Sequence, residues 1–227
     1  MTEMPLIAIV PVRGGSRGLP GKNTRDLLGK PLYRHALDQA HAAGVKLCLL
    51  STDIPALLRA DHGPGVQVVP RPGELARDDT PMDPVLAHAL QVVDGPARVV
   101  LLQATSPLRE PEDIAAAVAL HSAGRFDLVM SVTRTPSHIL KYGMVKEGAF
   151  RPVAGADYCF MNRQALPEVY RPNGAVYVFD ADWFRRNGRL ATDRIGAVEM
   201  PPERALDIDT AEDFAQVESV MRTRGAQ

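Results

Sequence analysis

The sequence predicts an α/β protein with a mostly parallel, doubly wound, Rossmann-like sheet, and three observations carry that reading. Short apolar runs alternate with helical patterns along most of the 227 residues, the succession expected of βαβ units. The runs are apolar throughout, as in Val99, Val100, Leu101 and Leu102, which suits strands buried on both faces. Several of them end in polar, glycine-rich or arginine-bearing segments, and open parallel sheets bind ligands at the carboxyl ends of their strands.

The elements follow in order. Residues 6–10 form a first strand and run into a glycine-rich loop. Residues 31–43 place Leu32, Ala36, Leu37 and Ala40 at helical spacing, and Gly44 stops the helix. Residues 47–51 read as a strand, and Thr52, Asp53, Ile54 and Pro55 cap and enter a second helix. A short strand at 66–69 leads into Arg71 and Pro72. Asp83 and Pro84 open a helix whose face carries Val85, Leu86, Ala89, Leu90 and Val93. A strand at 98–103 precedes a helix from Pro111 with Ile114 and Val118 inward, and residues 128–132 form the next strand. Periodicity fades over 134–173, and a structureless loop of that length is unusual in a compact domain. This stretch reads as a protruding dimerisation arm of one domain spanning 1–227. The chain returns as a strand at 175–179, a helix at 181–187, a strand at 195–200 and a closing helix at 210–224. Thr210 with Asp213 forms a capping-box pattern.

Composition narrows the function. The chain is 45% hydrophobic and 23% charged with a formal net charge of −1, so no electrostatic case exists for nucleic acid or a membrane surface. With 5% aromatic residues, a base-stacking platform is also disfavoured. No run approaches the roughly 18 apolar residues of a membrane span, and the first residues lack the charge and length of a signal peptide. Cys48 and Cys159 make no disulfide framework and no C-x-x-C pair. A reducing, cytoplasmic location is expected.

The richest segment is Pro11-Val-Arg-Gly-Gly-Ser-Arg-Gly-Leu-Pro-Gly-Lys-Asn23, with four glycines and the three cations Arg13, Arg17 and Lys22. Glycines bring backbone N–H groups close to a ligand, and Arg and Lys match phosphate oxygens. The loop is suited to a polyphosphate, held by Arg13, Gly14, Gly15, Ser16, Lys22 and Asn23. It is not a Walker loop, because Ser16 stands five before Gly21 and Asn23 follows the lysine. The dinucleotide fingerprint fails as well, since Ser16 stands two after Gly14. Residues 14–18 do fit G-x-S-x-G, the nucleophile elbow of serine hydrolases. Ser16 as a nucleophile is a distant alternative, because Leu19-Pro20-Gly21 follows where a helix should begin.

Asp207 and Asp209 flank Ile208 just before the last helix. In extended backbone, residues two apart share a side, so the two carboxylates face one way while Ile208 turns to the core. Two adjacent carboxylates repel unless a cation lies between them, and hard oxygen donors suit Mg²⁺ or Mn²⁺ completed by phosphate oxygens and water. A solvated acidic turn is the plain alternative; the glycine loop tips the balance toward a metal–nucleotide site. The six histidines are dispersed and form no metal pattern. Arg163 and Arg171 could grip a carboxylate bidentately or stand as surface arginines of the arm.

Together these segments resemble the acylneuraminate cytidylyltransferase family, the CMP-sialic acid synthetases. The matching stretches are 11–23, Ser51-Thr52-Asp53, 71–81, 101–109, 163–167, 170–177 and 206–214, in family order and across nearly the whole chain. The resemblance implies a nucleotidyltransferase that moves CMP from CTP to a nine-carbon 2-keto acid sugar and releases pyrophosphate. It places Arg13 and Lys22 on the triphosphate as catalytic residues together with Asp209, and the segment from Arg71 to Thr80 around the cytidine. Gln103, Arg163, Arg171, Asn173 and Tyr177 would face the carboxylated sugar, and Asp207 and Asp209 would hold the metal. It also implies a homodimer whose arm reaches the neighbouring site. The acceptor stays open among sialic, pseudaminic, legionaminic and the eight-carbon Kdo acids, and a different nucleotide is a further alternative. No general base is identified.

Overall fold

The computed structural model describes residues 4–15 and 18–225. Strand β1 (Leu6–Val12) leads through the glycine loop and a single 3₁₀ turn at Lys22–Thr24 into a small ladder, β2 (Asp26–Leu27) with β3 (Lys30–Pro31). Helix α1 (Leu32–Ala42), β4 (Leu47–Thr52), α2 (Pro55–Arg59) and β5 (Val66–Pro70) follow. Then come α3 (Met82–Ala89), β6 (Arg98–Leu101), α4 (Pro111–Ser122) and β7 (Leu128–Thr135). The segment beyond β7 carries a hairpin, β8 (Gly143–Lys146) with β9 (Ala149–Pro152), and a short α5 (Ala156–Phe160). The chain closes with β10 (Val169–Asp180), α6 (Ala181–Asn187), β11 (Ile195–Glu199) and α7 (Ala211–Gly225). No helix of the described residues is long and apolar enough to cross a membrane.

Seven strands make one sheet in the order β11-β7-β10-β6-β1-β4-β5. Every neighbour is parallel except β10, which runs antiparallel to both β6 and β7. The strand expected at 175–179 therefore exists but begins earlier and points the other way. Its direction follows from the excursion before it: the chain leaves at the carboxyl end of β7 and returns at that same end, and such a return pairs antiparallel. As a result Tyr177 lies opposite Leu101, at the carboxyl end of β6.

Helices cover both faces, as the alternation along β1 requires. Ala8, Val10 and Val12 pack with Ala36, Leu37, Ile114 and Ala117 of α1 and α4. Ile7 and Ile9 pack with Leu86 and Ala89 of α3 and with Phe184 of α6. A third cluster joins Leu19, just after the glycine loop, to Leu27, Leu32, Leu108, Ile208, Phe214 and Val217. That cluster ties the segment after β1 to the turn before α7 and to α7 itself.

The arm expected over 134–173 is an ordered excursion rather than irregular chain. Glu147 (φ 53°) and Gly148 (φ 78°) are both left-handed, the signature of a two-residue hairpin turn of type I′. Its apolar side chains face outward: Val145 is 72% exposed and Phe160 is 89% exposed.

Arg109 fixes the loop after β6 against β10. Its side chain is fully buried; Nε donates to Gln39 Oε1 at 3.0 Å, Nη2 to the Gln103 carbonyl at 3.1 Å, and Nη1 to the Ala175 carbonyl. Burial lowers its pKa to about 9, with Asp113 opposing, so it remains charged at neutral pH. Arg109→Met would strand these acceptors in a dry interior at roughly 1–3 kcal/mol each. We expect a loss of at least about 3 kcal/mol in urea unfolding; an unchanged midpoint would contradict this role.

Candidate active site

Five of the residues singled out by sequence line one cleft of about 150 Å³: Arg13, Lys22, Asn23, Arg71 and Gln103, with Met82 and Thr105 beside them. It opens at the carboxyl ends of β1, β5 and β6, where the topology predicts a ligand. The glycine loop leaves β1 and is braced from behind, Asn23 Nδ2 donating to the Arg13 carbonyl at 3.0 Å. Gly21 takes a left-handed φ of 66° and starts the turn that buries Lys22.

Lys22 connects the loop to the acidic turn 187 residues away. Its Nζ donates to the Ile208 carbonyl at 2.5 Å and to Asp209 Oδ1 at 3.0 Å. Gly18 lies against the same turn, so close that a Cβ on it would stand 2.4 Å from the Asp209 carbonyl oxygen. The Ile208 N–H in turn donates to the Thr105 carbonyl at 2.9 Å, joining the turn to the loop after β6. Ile208 is buried as expected, while Asp207 and Asp209 stay reachable by solvent. Asp213 caps α7, its Oδ2 accepting from the N–H groups of Thr210 and Asp209, and these bonds hold its pKa below the ordinary value.

The Asp207 carboxyl is desolvated by surrounding protein even though part of the residue meets solvent, and this raises its pKa. The Asp209 charge adds to the rise, while the Thr105 hydroxyl and the Lys22 ammonium oppose it. The Tyr177 hydroxyl has its pKa raised by burial and, secondarily, by the Asp207 charge. Among the described residues no group of three or more His, Cys, Asp or Glu side chains gathers to hold a metal. Two carboxylates held at the edge of a cationic cleft fit a hard divalent ion that takes its remaining oxygens from phosphate and water.

The cations that line the cleft are held by neighbouring protein groups. Arg71 is buried, its Nε donating to the Ser51 hydroxyl at 3.1 Å and Nη2 to the Ser51 carbonyl at 2.8 Å. Burial lowers its pKa to about 10; Asp53 opposes that shift and Arg13 adds to it. Arg13 pairs with Asp78 at 2.7 Å, and the Gly14 N–H donates to Asp53 Oδ1 at 2.8 Å.

The remaining expected residues are placed differently. Gly15 borders open space. Ser16 lies outside the described residues; around it, β1 does not run into a helix, since the next turn is the 3₁₀ segment at Lys22–Thr24. The Thr80 hydroxyl donates to the Glu74 carbonyl at 3.1 Å and closes its own loop. Arg163 and Arg171 are exposed, on the arm and on the early part of β10. Asn173 is buried, and its side chain is engaged: Oδ1 accepts from Ser131 and from the Ala175 N–H, and Nδ2 donates to Thr133. It pins the register shift in β10 between Pro172 and Tyr177. Sequence reasoning gave no separate roles to Asp53, Asp78, Thr105 or Arg109. Their place in the segments that follow β4, β5 and β6 was the available signal.

The family model described as cytidylyltransferase matches residues 7–221, and the chain belongs to that family. The N-acylneuraminate cytidylyltransferase of Streptococcus agalactiae is 34% identical over 218 residues, covering 94% of this chain and 52% of that protein. The N-acylneuraminate cytidylyltransferase of Escherichia coli O18:K1:H7 is 30% identical over 226 residues, covering 98% and 53%. The chain thus spans about half the length of these curated relatives. The CMP-N,N′-diacetyllegionaminic acid synthase of Legionella pneumophila is 30% identical over 232 residues, covering 96% of this chain and 97% of that one. Among solved structures, a CMP:2-keto-3-deoxy-manno-octonic acid synthetase complexed with CTP shares the fold, with a TM-score of 0.73, 18% identity and coverage of 97% and 99%.

The contact of Gly18 with the acidic turn yields a direct test. In Gly18→Ala the new methyl meets backbone oxygen, not a side chain that can swing away, and overpacking of this kind costs about 1–3 kcal/mol. We expect that loss in chemical denaturation; a variant as stable as the parent would mean that loop and turn do not touch in solution.

Proposed function

We propose that this member of the cytidylyltransferase family transfers CMP from CTP to the anomeric hydroxyl of a nine-carbon 2-keto acid sugar, sialic acid or a relative, with release of pyrophosphate. The observation that carries the reading is the Lys22 ammonium, which joins the glycine loop to the Asp207–Asp209 turn at the edge of one cleft. The names of the relatives supply the acceptor class. Full-length similarity to a legionaminic acid synthase favours legionaminic acid as the first alternative, with pseudaminic and Kdo acids behind it.

In this reading the sugar hydroxyl oxygen attacks the α-phosphorus and gives its proton up to water, a new P–O bond forms, and the P–O bond to pyrophosphate breaks. Such a transfer depends on charge neutralisation and in-line positioning more than on covalent catalysis. Arg13, Lys22 and the N–H groups of Gly14 and Gly15 bind the β- and γ-phosphates and stabilise the departing pyrophosphate. Arg71, supported by Ser51, and Thr80 bind the cytidine. Gln103 and Tyr177 face the sugar acid, and Asn173 acts through the bulge it pins. Asp207 and Asp209 would hold a Mg²⁺ or Mn²⁺ ion, which when bound would supply positive charge to the phosphates and make the attacking hydroxyl more acidic.

The arm supports a homodimer: its hairpin exposes Met144, Val145 and Phe150, apolar surface of the kind that subunit interfaces cover. In a dimer, Arg163 and Arg171 would reach the partner's sugar acid. The unpaired cysteines support a cytoplasmic location; burial pushes the Cys48 thiol up to about 12, so it is inert.

Pyrophosphate release from each of the four NTPs against a panel of ulosonic acids, with and without Mg²⁺, tests the function. Release confined to CTP with one such acid is the expected result, and no release from any pair contradicts the reading. For the metal role, Asp209→Asn keeps an oxygen for the Lys22 hydrogen bond while removing the charge. It should fold normally and lose at least about 100-fold in turnover, the scale of several kcal/mol of charge stabilisation; near-parental turnover at limiting Mg²⁺ would refute the assignment. For the dimer, mixing Arg163→Ala with Asp209→Asn subunits should restore part of the activity. An active monomer in sedimentation would exclude the shared site.

A further inference from the structure

We propose that Asp78 stands in for phosphate at Arg13: it holds the guanidinium while the cleft is empty, gives it up to a polyphosphate, and takes it back as pyrophosphate leaves. This specificity role rests on reading the cleft as the CTP site.

The resting arrangement is unusual for an anion site, because two donors suited to phosphate are held by carboxylates. Arg13 Nη2 pairs with Asp78 Oδ1 at 2.7 Å, and the Gly14 N–H donates to Asp53 Oδ1 at 2.8 Å. The other terminal nitrogen of Arg13, Nη1, is closed off from solvent and has no hydrogen-bond partner among the described residues. A phosphate cannot reach Nη1 where it stands, so contact through both terminal nitrogens requires the guanidinium to turn further into the cleft it lines. That turn breaks the bond to Asp78. An unpaired buried donor is itself unfavourable, so the resting position is poised to be left.

Asp78 stands on a loop that keeps its own shape. The Thr80 hydroxyl and the Thr80 N–H donate back to the Glu74 and Arg77 carbonyls, and the Asp79–Arg77 pair, with side chains 73% and 68% exposed, adds little to that hold. The carboxylate is thus held over the cleft edge as a fixed competitor. A ligand that engages Arg13 must outbid one carboxylate: a polyphosphate with several charges does so, and a nucleoside that never touches Arg13 is indifferent. Once the α–β bond has broken, the same competition speeds pyrophosphate departure.

Calorimetric binding of CTP, inorganic pyrophosphate and cytidine to the parent, Asp78→Asn and Asp79→Asn proteins tests this, with circular dichroism to confirm folding. Side chains about 30% exposed make a pair of modest strength. Asp78→Asn should therefore tighten CTP and pyrophosphate roughly threefold to tenfold, leave cytidine unchanged, and strengthen pyrophosphate inhibition by a similar factor. Asp79→Asn removes the same charge one residue away and should change little. Weaker polyphosphate binding by Asp78→Asn would show that Asp78 holds Arg13 in its binding pose, and would overturn the proposal. Equal tightening by Asp79→Asn would reduce it to a long-range field and overturn it too. A parent protein that binds pyrophosphate but no CTP defeats the CTP reading instead, while the pyrophosphate comparison still decides the role of Asp78.

Discussion

The site depends on a tie between residues at opposite ends of the chain: the Lys22 ammonium held by the Ile208 carbonyl and the Asp209 carboxylate. The ion pair alone does not account for its fixity, because Asp209 is 74% exposed and such pairs contribute at most about 1 kcal/mol. The backbone contact and the apolar cluster beneath it do more. Leu19, Leu27, Ile208 and Phe214 form one buried group, and each buried side chain of that size is worth roughly 1.5–3 kcal/mol. The glycine at position 18 lets the two backbones touch. A cationic loop and an acidic turn therefore meet because hydrophobic packing brings them together, and charge then sets how they are used.

Charge compensation is the second constraint. A cleft with Arg13, Lys22 and Arg71 is self-repulsive when empty, and each cation has an answering group: Asp78 for Arg13, Asp209 for Lys22, and Asp53 near Arg71. Partly buried charge is stable only when paired and hydrogen-bonded. The site thus contains its own counter-anions.

Much of this was legible in the sequence. The strand into the glycine loop, helix α1 with Ala36, Leu37 and Ala40 inward, and the Thr210–Asp213 cap are local patterns, and local patterns survive folding. The direction of β10 was not legible, since an apolar run specifies a strand but not its sense; the sense came from the excursion before it. Asn173 beside a glycine before a strand reads like a ligand residue, yet its partners Ser131 and Thr133 lie about 40 residues away. The pairing of Arg13 with Asp78 was hidden for the same reason. Arg109 shows the limit most clearly, because only the fold reveals that a charged side chain in the loop after β6 is buried and ties that loop to β10.

The central claim is that loop and turn make one polyphosphate–metal site, and a crystal structure with CTP and Mn²⁺ addresses it most directly. The account predicts the triphosphate against Arg13 and Lys22, with an anomalous Mn²⁺ peak between the Asp207 and Asp209 carboxylates and a phosphate oxygen. A triphosphate bound away from the glycine loop, or a metal peak remote from that acidic pair, would contradict it.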